Sequence, residues 1–135
     1  MYILIVDGQG GGVGKQLVQA VKALIPESFV MAVGTNSAAS ANMLRAGADA
    51  AATGENAVIV AARKADVIAG PIGIVVADSL YGEITPAMAL AVAQSNAKRV
   101  LLPFQHCDNT IVGVGDFNIS HLIKMAAEEI SRLKK

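Results

Sequence analysis

Apolar residues recur along this chain in two rhythms, continuous short runs and helical stripes, which take turns from one end to the other. Residues 2–6, Tyr-Ile-Leu-Ile-Val, form an unbroken apolar run with β-branched members, the pattern of a central parallel strand covered on both faces. Leu17, Val18, Val21, Leu24 and Ile25 then fall on one face of a helix that Pro26 ends. Residues 29–33 predict a second strand, closed by Gly34-Thr35-Asn36. Asn36 or Ser37 caps a helix reaching about Ala46, with Gly47 as its stop.

Residues 48–53 are weakly patterned and predict a short third strand, followed by a turn and helix start at Thr53-Gly54-Glu55-Asn56. Val58-Ile59-Val60 is assigned to that helix because Arg63 and Lys64 suit a helix C-terminus. Residues 66–70 predict a fourth strand, broken by Pro71; residues 74–77 fit strand or helix, and 78–83 read as a polar loop. Thr85-Pro86 marks the start of a helix to about Gln94. Residues 99–104 predict another strand, residues 110–114 a further edge strand, and Ile119, Leu122, Ile123, Ala126, Ile130 and Leu133 the apolar face of a terminal helix. Strands alternating with helices mean a single three-layer, Rossmann-like α/β domain over 1–135, an open and mainly parallel sheet with helices on both faces.

Composition narrows the function classes. The chain is 53% hydrophobic and only 16% charged, which predicts that part of its surface is covered by further copies of itself, a homo-oligomer. Eleven basic and eleven acidic residues cancel, leaving no electrostatic case for nucleic acid or an anionic membrane as partner. No apolar run approaches the roughly 18–20 residues of a membrane span, and the first run stops at Asp7, so the expected location is the cytoplasm. A single cysteine, Cys107, excludes an internal disulfide and a cysteine-based zinc site. Two histidines with no shared motif, His106 and His121, give no metal site.

The chemistry concentrates between the first strand and the first helix: Gly8, Gln9, Gly10, Gly11, Gly12, Val13, Gly14 and Lys15. Five glycines in seven residues exceed what a tight turn requires, since each adds backbone entropy that folding must remove. Glycines at such a turn let backbone amides approach a phosphate at a helix N-terminus. The Rossmann fingerprint G-x-G-x-x-G fails at Val13, whereas the looser G-x-x-x-G-x-G spacing of short-chain dehydrogenases is met by Gly8, Gly12 and Gly14. The P-loop pattern fails at Gln9, and Gln16 stands where a hydroxyl would hold Mg²⁺. The expected ligand is a nucleotide, NAD(P)-like or another, or a smaller phosphate, held without Mg²⁺ chemistry. Lys15 would neutralise phosphate charge, and Thr35, Asn36, Thr53 and Asn56 would line the neighbouring pocket. No acid or arginine follows the second strand, where a dinucleotide site usually reads the ribose.

Glu55, Asp78 and Glu83 are the candidate acid–base groups at the carboxyl rim of such a sheet, and His106 the candidate proton shuttle. Tyr81 is not followed by lysine four residues on, so the dehydrogenase catalyst is absent although the loop is similar. Three functions remain open: a nucleotide-binding sensor or accessory subunit, an enzyme on a small phosphorylated or carboxylated substrate, and an oligomeric interaction module with no ligand. An occluded loop, packed by Tyr81 or Phe104, would support the last.

Over nearly its whole length the chain resembles a family of short bacterial proteins, common in anaerobic Firmicutes and classed only as a domain of unknown function. The resemblance is carried by residues 7–15, Gly34-Thr-Asn-Ser37, Ala52-Thr-Gly-Glu-Asn56, Gly70-Pro-Ile72, Gly82-Glu-Ile-Thr-Pro86 and Leu101-Leu-Pro103. It implies a Rossmann-like fold and supplies no activity, substrate or site residue.

Overall fold

The computed structural model describes residues 1–103, 109–115 and 118–133. Five strands, β1 (Tyr2–Asp7), β2 (Phe29–Gly34), β3 (Ala50–Thr53), β4 (Val67–Pro71) and β5 (Lys98–Leu102), form one sheet. All neighbours are parallel and the order is β3-β2-β1-β4-β5. The chain adds strands outward from β1 to β3 and then returns to pair β4 with β1. That reversal opens a crevice at the carboxyl ends of β1 and β4, where ligands bind in open α/β sheets.

Alternation along β1 divides the core. Ile3 and Ile5 point to the layer of α1 (Gly12–Leu24), α2 (Ser37–Arg45) and α5 (Ile119–Arg132), against Leu17, Val21, Met43 and Ile130. Leu4 and Val6 point to the opposite layer, α3 (Glu55–Lys64) and α4 (Pro86–Gln94), against Val58, Ile84, Met88 and Val92. Both faces of the sheet are therefore covered, which explains why β1 reads as an unbroken apolar run. The helix signals act as expected: Asn36 Oδ1 accepts from the amide of Ala39, Thr85 Oγ1 from that of Met88, and Asn118 Oδ1 from that of His121.

One stretch takes a form that the sequence left open, and one expected element is missing. Pro71 ends β4, and residues 72–75 form one turn of 3₁₀ helix (Ile72–Val75), tied back by a hydrogen bond from the Ser79 hydroxyl to the carbonyl of Gly73. The expected edge strand at 110–114 does not form. Gly113 turns there with φ 88°, and Val112 is left 93% exposed with no strand beside it. Among the described residues, no helix is long and apolar enough to cross a membrane.

Candidate functional site

The site is built from the turn that leaves β1. Asp7 is the last residue of that strand and is 5% exposed. Its Oδ1 accepts from the amide of Gly8 at 2.8 Å and its Oδ2 from the amide of Gly14, in the first turn of α1, at 2.7 Å. A buried carboxylate thus caps the helix that follows its own strand, satisfying a donor that the helix leaves open. Burial pushes the Asp7 carboxyl above the usual carboxylate range, and the nearby charge of Glu83 adds to this, while the amides of Gly14, Gly8 and Val13 pull the other way.

The five loop glycines separate into two groups. A methyl group at Gly8 would lie 2.7 Å from both Glu83 Oε1 and Thr35 Oγ1, and one at Gly11 would lie 2.8 Å from Ala39 Cα, with φ at 72° besides. At Gly14 it would collide with the sulfur of Met43 and with Asp7 Cβ. These three are glycine because the chain is crowded there. Gly10 and Gly12 are different: a methyl group on either meets nothing within 4 Å, and neither has a positive φ. Both are exposed, and within the described residues their amides donate no hydrogen bond. The amide of Gly11 is spent on the carbonyl of Gly8 and that of Lys15 on the carbonyl of Gly11.

The loop is pinned from outside by three side chains. Glu83 Oε1 accepts from the amide of Gln9 at 2.6 Å and from the Thr35 hydroxyl at 3.1 Å, and its Oε2 accepts from Asn36 Nδ2 at 3.1 Å. Asn36 Nδ2 also donates to the carbonyl of Gln9, and Asn42 Nδ2 to the carbonyl of Gly10. Thr35 and Asn36 follow the carboxyl end of β2, so the parallel register that sets Asp7 beside Gly34 delivers them to the loop. A crevice of about 230 Å³ remains, lined by Asp7, residues 8–13, Pro71 and Leu80. It lies at the point where strand order reverses. A larger cavity of about 530 Å³ opens at the other end of the sheet, around Met1, Ile25, Asp66 and Lys98. The carboxyl-end crevice is the candidate site because the first turn of α1 and the loop amides meet there.

The expected site residues divide accordingly. The crevice gathers Gly8, Gln9, Gly10, Gly11, Gly12 and Val13, with Thr35 and Asn36 tied to the same loop through Glu83. Gly14 is buried against Asp7, and Lys15 is exposed on the first turn of α1 with no ion pair among the described residues. Thr53 and Asn56 lie elsewhere: with Ala52, Val60 and Lys64 they line a groove at the β3 edge, two strands or about 10 Å from β1. Thr53 Oγ1 sits 2.6 Å from Ser40 Oγ.

The acid–base candidates are spread and occupied. Glu55 Oε2 accepts from the Thr85 hydroxyl at 2.6 Å, fastening α3 to α4. Asp78 is exposed, and Glu83 is the latch just described. His106 and Cys107 lie outside the described residues. Tyr81 is 92% exposed and does not pack on the loop; Leu80, 5% exposed, does. Sequence reading missed the central position of Asp7, which there only marks the end of the first apolar run. An acid closing an apolar strand before a glycine turn is the signal that points to it. Among the described residues no group of three or more potential ligands could hold a metal ion.

Comparisons with known proteins agree with this architecture. The family model described as Domain of unknown function (DUF3842) matches residues 2–135. No curated protein matches the chain. Among solved structures, a dodecameric FMN-dependent Ubix-like decarboxylase from Escherichia coli O157:H7 is similar in fold, with a TM-score of 0.50 and 19% identity. That match covers 98% of this chain and 76% of the decarboxylase chain.

Proposed function

The chain belongs to the family described as Domain of unknown function (DUF3842), and for it we propose binding of a nucleotide by its phosphate at the β1–α1 loop, in a sensor or accessory subunit. The observation that carries this reading is the pair Gly10 and Gly12. Neither needs to be glycine for packing or for backbone conformation, a Cβ on either would meet open space, and their amides donate to no group among the described residues. Glycine there does one thing that alanine would not: it leaves room for a bulky anion to reach the backbone. Lys15, with no ion pair among the described residues, adds a cation on the first turn of α1.

The volume of about 230 Å³ is below the roughly 300–1,000 Å³ of sites that enclose a whole ligand. It suits a phosphate and its first substituents, with a nucleoside, or the second half of an NAD(P)-like dinucleotide, lying in the open crevice. An enzyme built on Glu55, Asp78 or Glu83 has less support, since Glu55 and Glu83 are committed to hydrogen bonds between elements. The FMN named for the similarly folded decarboxylase enters as a candidate to test; that likeness supports the fold alone. The homo-oligomer expected from composition belongs to the same proposal.

The test is a thermal-shift panel of AMP, ATP, GTP, NAD(H), NADP(H), FMN, FAD and inorganic phosphate, each with and without Mg²⁺. A ligand at about 100 times its dissociation constant should stabilise the fold by roughly 2.7 kcal/mol. The expected result is a Mg²⁺-independent shift that a Gly10→Ala/Gly12→Val variant of unchanged intrinsic stability loses. No shift with any member of the panel would overturn the reading.

A further inference from the structure

Residues 78–84, between the 3₁₀ turn and α4, cover the crevice in a conformation that their side chains resist. Asp78, Leu80, Tyr81 and Gly82 all have positive φ, at 66°, 55°, 57° and 86°. Three of these four are not glycine, and each Cβ in this region is crowded by its own backbone. Such strain persists only where surrounding contacts impose it. Here the segment is closed by its own backbone bonds, among them those between Asp78 and Ile84 and between Ile84 and Ser79. It is held to the loop by Leu80, inserted against Gly8 as a wall of the crevice, and by Glu83, which accepts from the Gln9 amide, the Thr35 hydroxyl and the Asn36 carboxamide.

Those three donors form a site in their own right. They come from the loops after β1 and β2, and they converge on one carboxylate. The Asn36 amide group is aimed before Glu83 arrives, because its Oδ1 caps α2 and its Nδ2 also holds the carbonyl of Gln9. A backbone amide, a hydroxyl and a carboxamide fixed around one point are a donor set for an oxyanion. We propose that Gln9, Thr35 and Asn36 form an anion site for a phosphoryl oxygen, that Glu83 is its resident occupant, and that the ligand enters by displacing Glu83. Residues 79–83 are then a lid, while Ile84 stays in the core at its base, and lifting the lid withdraws Leu80 from the crevice and joins this site to the amides of Gly10 and Gly12. The proposal rests on the phosphate reading of the loop and adds the device that guards it.

A closed lid lowers apparent affinity in proportion to the fraction of molecules that are open. Removing the competing carboxylate should therefore tighten binding, whereas removing a merely structural hydrogen-bond hub would weaken it. The full chain is titrated calorimetrically with inorganic phosphate and with AMP, as wild type, Glu83→Ala, and Leu80→Ala, which leaves the latch intact. Glu83→Gln, which keeps the side-chain volume and loses the charge, stands in if Glu83→Ala does not fold. The expected result is binding at least about tenfold tighter in Glu83→Ala, with a smaller gain in Leu80→Ala. Amide hydrogen exchange without ligand should show residues 79–83 opening locally, before β1, and faster in Glu83→Ala. Wild-type binding with no gain, or a loss, in Glu83→Ala overturns the lid and leaves the loop reading standing. Absence of binding in all forms overturns both.

Discussion

The Asp7 carboxylate holds the amide of Gly14 at 2.7 Å across the glycine turn, and Gly14 has no room for a side chain because Asp7 Cβ and the sulfur of Met43 occupy it. Strand and helix are locked together by this contact as well as by the chain that joins them. The loop is consequently formed before any ligand arrives, which lowers the ordering cost of binding.

The two classes of loop glycine should respond oppositely to alanine. Gly14→Ala forces a methyl group into a packed site and should cost about 1–3 kcal/mol. Gly12→Ala, in open space at the first position of α1, should leave stability unchanged or raise it by up to about 1 kcal/mol. Urea unfolding of the two variants checks this. A harmless Gly14→Ala would contradict the locked turn.

Asp7 and Asp49 should give stability terms of opposite sign against pH. Burial raises the Asp7 pKa, so the folded state binds its proton more tightly than the unfolded chain does. Its contribution is complete below the unfolded value near 3.9 and is lost as pH rises through the higher folded value. Asp49 is held low, first by the amide of Val30 and then by Lys22, whose Nζ lies 3.0 Å from Oδ2. Its contribution is present above the unfolded value and is lost as pH falls through the folded one. Chemical unfolding should show the wild type's advantage over Asp7→Asn shrinking as pH rises above about 4, and its advantage over Asp49→Asn shrinking as pH falls below about 4. The reverse trend for Asp7 would mean that its amide bonds outweigh its burial.

Tyr81 offers a test of strain in the lid. It is 92% exposed with φ 57°, so its side chain has little to lose and its backbone has something to gain. Tyr81→Asn, a residue that tolerates the left-handed region, should raise the melting free energy by about 0.5–1 kcal/mol. Calorimetry on the two proteins measures it, and a destabilised variant would show that Tyr81 makes a contact worth more than the strain.

Much of the fold was legible because its signals are local. Two-sided burial makes β1 an apolar run, a stripe ending at Ile25-Pro26 makes α1, and Asn36, Thr85 and Asn118 mark helix starts with capping side chains. The expected strand at 110–114 failed because an apolar run becomes a strand only beside a partner edge, and Gly113 turns the chain there instead. Of the candidate site, the sequence grouped residues 8–13, 35 and 36, and the structure brings these together around one crevice. Thr53 and Asn56 were grouped with it on the assumption of one pocket along the rim, and the distance across β2 separates them. The role of Glu83 depends on contacts 47 to 74 residues apart in sequence, and that of Leu80 on its approach to Gly8, which no local pattern encodes.

The account turns on whether the amides of Gly10 and Gly12 receive a phosphate. The most direct measurement is a ¹H–¹⁵N correlation spectrum of the labelled protein titrated with AMP and, separately, with adenosine. The expected result is saturable movement of the Gly10, Gly12 and Lys15 amide signals with AMP and none with adenosine at the same concentration. Saturable shifts confined to other residues, or no shift up to millimolar AMP or with the other nucleotides of the thermal panel, would contradict it.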